Sequence, residues 1–197
     1  MKRLPANRFG IPAAIHTAVS HPHPSLQQSH VFRAEPARYY LKPGELFVGE
    51  EATLVETLLG SCVAVTMFSP RYQLGSVCHS LLPNCRRERP NCGECREASR
   101  YVECSIREML NWFLQRGIRQ REIVVKLFGG SDLLSGPEGN ATRGIGRQNI
   151  ERAISVLDEE GLLLSVSDVG GVRGRKIIFK TYTGEIFLKR LSRSGLT

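Results

Sequence analysis

Residues 57 to 83 read TLLGSCVAVTMFSPRYQLGSVCHSLLP. Two apolar runs rich in β-branched residues, CVAVTMF (62 to 68) and LGSVCHSLL (74 to 82), flank the turn-like SPRYQLG, which is the pattern of two neighbouring strands. Cys62 heads the first run, directly after a bend through Gly60 and Ser61. His79 stands seventeen positions later, near the end of the second. Strand alternation sends Cys78 to the face opposite His79, into packing.

Outward from this pair, strand and helix signals alternate. IVVKLF (123 to 128), LLLSVSDV (162 to 169), KIIFKTY (176 to 182) and EIFLKRL (185 to 191) read as further short strands, the last two joined as a hairpin across Thr183 and Gly184. A helix is expected from Ser99 to Arg116, with Val102, Ile106, Met109, Leu110 and Phe113 as its apolar stripe and Gly117 just beyond its end. A second is expected from Gln148 to Glu160, with Ile150, Ala153, Ile154 and Leu157 inward and Gly161 as its stop. The glycine-rich FGGSDLLSGPEGN and VGGVRGRK read as connections. Residues 1 to 38 hold five of the ten prolines and four of the five histidines without periodicity, and read as a flexible, disordered leader. One domain over 39 to 197 is expected to follow, in which His79 is the sole imidazole.

The formal charge of +8 invites a nucleic-acid reading, but its distribution argues otherwise. Residues 1 to 38 carry five Lys and Arg against one acid and residues 171 to 197 seven against one, whereas 39 to 170 carry fifteen against seventeen. A near-neutral body with basic ends does not make a groove that tracks phosphates. Neither a membrane-spanning run nor a signal peptide is read from the chain, so a cytoplasmic location with mostly reduced thiols is expected.

A cysteine attacks as its thiolate, a minority species at neutral pH, so it needs a partner that takes its proton. His79 can do this, and the bend before Cys62 can turn the backbone N–H groups of Ser61 and Cys62 toward a developing oxyanion. Two buried structural residues on adjacent strands would give the same sequence.

The order TLLGSCVAVTMFSP, GSVCHSLLP, KLFGGSDLL, GIGRQNI and DVGGVRGRKIIFKTYTGEIFLKRL, spread over residues 45 to 191, resembles the chemoreceptor glutamine deamidases of the CheD family. The resemblance implies an α+β fold, a layered mixed β-sheet sandwich with two main helices packed on the sheet, of cysteine-hydrolase type. It implies Cys62 as nucleophile, His79 as base and Thr57 as the residue orienting the site, with receptor glutamine converted to glutamate and ammonia through a thioester, and methyl-ester hydrolysis open to the same groups. No cofactor is required for that chemistry. Chemoreceptor helices and a CheC-type phosphatase are the implied partners, and a non-catalytic module that docks such a phosphatase is the alternative. The resemblance also implies that KLFGGSDLL borders the site, and Arg173, Arg175 and Lys176 could meet acidic receptor helices.

A cysteine-rich loop at 84 to 98 departs from that pattern. Cys85, Cys92, Cys95 and Cys104 are spaced C-x6-C-x2-C-x8-C, which suits a structural zinc site, with iron–sulfur chemistry, a reversible disulfide or plain surface thiols as alternatives. Cys104 falls opposite the stripe of its helix, a position that core packing explains poorly.

Overall fold

A computed structural model describes residues 35–85, 97–132 and 144–192. The leader up to residue 34 lies outside them, as do Cys92 and Cys95. Eleven main elements follow in order: β1 (Ala37–Tyr40), β2 (Leu46–Gly49), β3 (Thr53–Leu59), β4 (Val63–Ser69), β5 (Leu74–Cys78), α1 (Val102–Leu114), β6 (Val124–Gly129), α2 (Ile145–Glu159), β7 (Leu164–Val169), β8 (Arg175–Lys180) and β9 (Ile186–Arg190). The first strand begins two residues ahead of the expected start at Tyr39.

The strands form two mixed sheets, one in the order β1-β3-β8-β9 and one in the order β2-β5-β4-β6-β7. Each contains one parallel pair, β1 with β3 and β6 with β7. Strand β4 is buried along its whole length because both its faces are covered. Val63, Val65 and Met67 point to the helices, where they meet Ile106, Met109 and Phe113 of α1 and Ala153 and Val156 of α2. Ala64 and Phe68 point to the other sheet, where they meet Val55 and Leu59 of β3 and Ile177 and Phe179 of β8. The layers are therefore sheet, sheet, helices, and each fully buried Leu, Ile or Phe side chain contributes about 1.5–3 kcal/mol through removal from water. Cys78 is fully buried on the helix side, as alternation requires.

The α1 stripe is buried as expected, but α2 is rotated. Its inward residues are Gly146, Asn149, Ala153, Val156 and Leu157, while Ile154 is 48% exposed. Ion pairs join the helices on this side: Arg107 of α1 binds Glu159 and Glu160 at the end of α2, and Arg152 of α2 reaches Glu103 of α1. With Arg152 against α1, the 149, 153, 156 face lies toward the sheet and Ile154 toward water. Cys104 is corrected likewise. It is 4% exposed in the first turn of α1 and disulfide-bonded, whereas Cys62, Cys78 and Cys85 are free thiols. Two of the four cysteines in the expected zinc set, Cys92 and Cys95, lie outside the described residues. Among the described residues no cluster of His, Cys, Asp and Glu could hold a metal.

Candidate active site

Strand β3, which the sequence pattern left unread, carries alternate residues Val55, Thr57 and Leu59 into the space between the sheets. Thr57 is 1% exposed there, and His79, just past the end of β5, is 2% exposed. Thr57 Oγ1 lies 2.7 Å from His79 Nδ1 and 2.7 Å from the carbonyl oxygen of Leu41. A carbonyl only accepts, so the single hydroxyl proton of Thr57 goes to Leu41. Thr57 Oγ1 must then accept from His79 Nδ1–H. This assigns the tautomer and leaves Nε2 without a proton, free to act as a base. The backbone holds the ring in place as well, since His79 N donates to the Glu45 carbonyl and its own carbonyl accepts from Gly44 N.

Cys62 reaches the same side of its sheet. Val63 and Ser80 exchange both backbone hydrogen bonds, at 3.0 and 2.9 Å, which makes Cys62 and His79 diagonal neighbours across that bridge. Such neighbours have Cα atoms about 7–8 Å apart, within reach of a thiol and an imidazole that extend toward each other. Cys62 is half-buried and packs beside the cluster between the sheets. The nucleophile candidate is thus open to an incoming side chain while its base is sealed behind it.

The bend before Cys62 is fastened through its carbonyls. Gly130 N donates to Cys62 O and Ser131 N to Gly60 O, both at 2.7 Å, and Asn149 Nδ2 donates to Ser61 O at 3.1 Å. The expectation that KLFGGSDLL borders the site is met through Gly129 and Gly130. A Cβ on Gly129 would stand 2.3 Å from the Cys62 carbonyl oxygen, so this approach requires a bare backbone. Among the described residues Ser61 N makes no hydrogen bond, and the N–H of Cys62 faces only its own sulfur. Arg175, expected to meet partners, is only 4% exposed; it is engaged by Asp168 Oδ1, Ser131 Oγ and the carbonyls of Gly170 and Arg173. The sequence reading missed it and Asn149 as parts of the site. An asparagine within the apolar period of α2, and an arginine opening a strand that alternates with Ile177 and Phe179, were the signals that could have found them.

Burial favours the neutral form of both partners. It pushes the Cys62 thiol up, with its own backbone N–H acting the other way. It lowers the His79 pKa from 6.5 to about 4, against opposing contributions from the Leu41 carbonyl and the Glu45 carboxylate. The resting pair is therefore neutral, and the thiolate forms as its proton moves to Nε2 during attack. A pH profile follows from this. Alkylation of Cys62 by iodoacetamide should show no inflection near 6.5, and should fall only as pH drops through about 4, where the ring becomes protonated and can no longer accept. A break near 6.5 in the rate, read by mass spectrometry of the Cys62 peptide, would contradict a buried neutral ring.

Comparison with known proteins gives concordant matches. Residues 81–190 match the model of the family described as CheD chemotactic sensory transduction. A "Probable chemoreceptor glutamine deamidase CheD 2" of Geobacter sulfurreducens is 47% identical over 156 residues, covering 79% of this chain and 91% of that protein. Proteins named "Probable chemoreceptor glutamine deamidase CheD" are 40% identical in Maridesulfovibrio salexigens and 39% identical in Oleidesulfovibrio alaskensis, each covering 79% of this chain, and 93% and 74% of their own lengths. The family match begins after His79. A continuous stretch of 156 residues in a chain of 197 nevertheless has to include positions 57 to 79, so the Geobacter relative extends across the whole candidate site.

Proposed function

The chain belongs to the CheD family, and on that premise we propose that it is a chemoreceptor glutamine deamidase, a protein-glutamine glutaminase whose nucleophile is Cys62. The observation that carries the reading is the hydrogen-bonded Thr57–His79 pair on the same side of the sheet as a half-buried Cys62.

In this reading Cys62 Sγ attacks the carboxamide carbon of a receptor glutamine as its proton passes to His79 Nε2. The amide oxygen takes the negative charge and lies toward the N–H groups of Ser61 and Cys62. Collapse of the tetrahedral species breaks the C–N bond, and the imidazolium gives its proton to the departing nitrogen, which leaves as ammonia. The remaining thioester is attacked by a water that His79 deprotonates, which releases glutamate and restores the thiol. Thr57 keeps the ring in one tautomer throughout, as a hydrogen bond to Nδ1–H does in a triad. A glutamyl methyl ester fits the same steps with methanol as leaving group. These steps call on no metal ion and no organic cofactor.

No helix among the described residues is long and apolar enough to cross a membrane. The proposed substrate, the cytoplasmic helices of a chemoreceptor, places the enzyme in the cytoplasm, and a CheC-type phosphatase is the proposed second partner. The test is incubation of the protein with a receptor cytoplasmic fragment. Ammonia release should accompany the mass change of amide-to-acid conversion at identifiable glutamines. Unmodified fragment after prolonged incubation, with Cys62 shown to be reduced, would overturn the assignment.

A further inference from the structure

Asn149 is completely buried on α2, on the side of its sheet away from the candidate nucleophile. Its amide nitrogen donates two hydrogen bonds, one to Ser61 O at 3.1 Å and one to Leu81 O at 2.9 Å. The first acceptor immediately precedes Cys62 and the second lies two residues after His79, so one side chain ties together the two segments that carry the pair. Its Oδ1 is buried without a hydrogen-bond partner. An unpaired buried acceptor is unfavourable, so the amide is placed here for its two donors.

A trans peptide is planar, and its C=O and N–H point to opposite sides of the chain. Drawing Ser61 O down toward α2 therefore turns the N–H of Cys62 up, toward its own sulfur. The neighbouring peptide is held as well, with Gly60 O bound by Ser131 N at 2.7 Å. Ser131 is itself fixed by the buried Arg175, whose Nη1 lies 2.6 Å from Ser131 Oγ. Of these fastenings only the one at Ser61 O is made by a side chain that can be replaced without altering the backbone of a loop.

We propose that Asn149 is a positioning residue that fixes the Ser61–Cys62 peptide plane and thereby aims the Cys62 N–H at the oxyanion formed during acyl transfer to Cys62. The proposal rests on Cys62 as the nucleophile and is independent of which amide or ester is the natural substrate. It separates two reactions of one sulfur. Acylation by p-nitrophenyl acetate passes through a tetrahedral oxyanion: the C–S bond forms, the carbonyl oxygen takes the charge, and p-nitrophenolate leaves with the ester's electron pair. Alkylation by iodoacetamide displaces iodide at a saturated carbon and forms no oxyanion.

Asn149→Leu, which keeps the branching at Cγ and removes the orphan acceptor with the donors, and Asn149→Ala are the variants to compare with the unmodified chain. Both rates are read at the Cys62 peptide by mass spectrometry, so that the other thiols do not contribute. The acylation rate should fall about 10–100-fold in both variants, the range for a weakened oxyanion donor, while alkylation stays within about threefold because Nε2 still takes the proton. Deamidation of receptor fragment should lose kcat with KM little changed. Unchanged acylation, equal losses in both reactions, or loss of the fold in both variants would reduce Asn149 to structural support and overturn the proposal. An unmodified chain that acylates at Cys62 but leaves receptor fragment intact would instead sink the receptor substrate and leave the Asn149 result standing.

Discussion

Cys62→Ala should abolish ammonia release from receptor fragments, a loss of about 10⁴-fold or more, because no other group in the site can form the thioester. His79→Gln should lower turnover about 10²–10⁴-fold, the range for a removed general base. Cys62 is half-buried at a bend, so its truncation should leave the unfolding midpoint nearly unchanged. Glutamine at 79 keeps much of the buried volume that alanine would leave empty. The two variants differ in how they respond to pH. With His79 removed, the thiol must ionise unaided, and burial holds it above its ordinary value of 9.0, so residual activity should climb with pH through the alkaline range. Cys62→Ala should stay dead at every pH. Thr57→Val should cost an intermediate amount, about 10–100-fold, corresponding to a lost hydrogen bond to a group that becomes charged. Turnover retained by Cys62→Ala, or a His79→Gln rate without the alkaline climb, would remove the pair from the mechanism.

The legible parts of this site were those set by local pattern. Cys62 and His79 could be paired because the two runs of residues 62–68 and 74–82 alternate and are joined by a short turn, which forces antiparallel neighbours. The observed partners, such as Thr66 with Val77, extend to the bridge of Val63 with Ser80. The place of Thr57 came from family resemblance alone. It lies on β3 in one sheet and touches a residue just past the end of β5, an interior strand of the other, and which residues meet across a sandwich is decided by packing between layers, with no periodicity to record it. Strand β3 itself was overlooked because TLVETLL mixes leucines and a glutamate, good helix formers, with a period-2 pattern of Thr53, Val55, Thr57 and Leu59 that only the buried face reveals. Asn149 was hidden by the same habit that misplaced Ile154. A stripe assigned by hydrophobicity passes over a polar residue whose donors are needed at a backbone carbonyl.

Among the described glycines, Gly129→Ala should be the most damaging single-methyl change for both stability and turnover. Gly129 has φ +103, which side-chain-bearing residues rarely adopt, and the added carbon would stand 2.3 Å from Cys62 O and 3.2 Å from Val63 Cα. Both are backbone atoms, so no side chain can swing aside. Either the pairing of β4 with β6 opens at Val63 and Gly129, or the bend at 60 to 62 moves. Backbone strain of about 1–3 kcal/mol and overpacking of about 1–3 kcal/mol together suggest a loss of about 2–6 kcal/mol in denaturant unfolding. A displacement of even about 1 Å at the nucleophile costs on the order of 10²-fold in turnover, so the folded fraction should also be impaired. Gly161→Ala separates conformation from contact. Its φ is +64 and nothing lies within 4 Å of the new carbon, so it should lose only about 1–2 kcal/mol and leave turnover per folded molecule intact. If the two variants proved equally stable and equally active, the close approach of Gly129 to the Cys62 carbonyl would not be what holds the bend, and its orientation would have to depend on the hydrogen bonds from Gly130, Ser131 and Asn149.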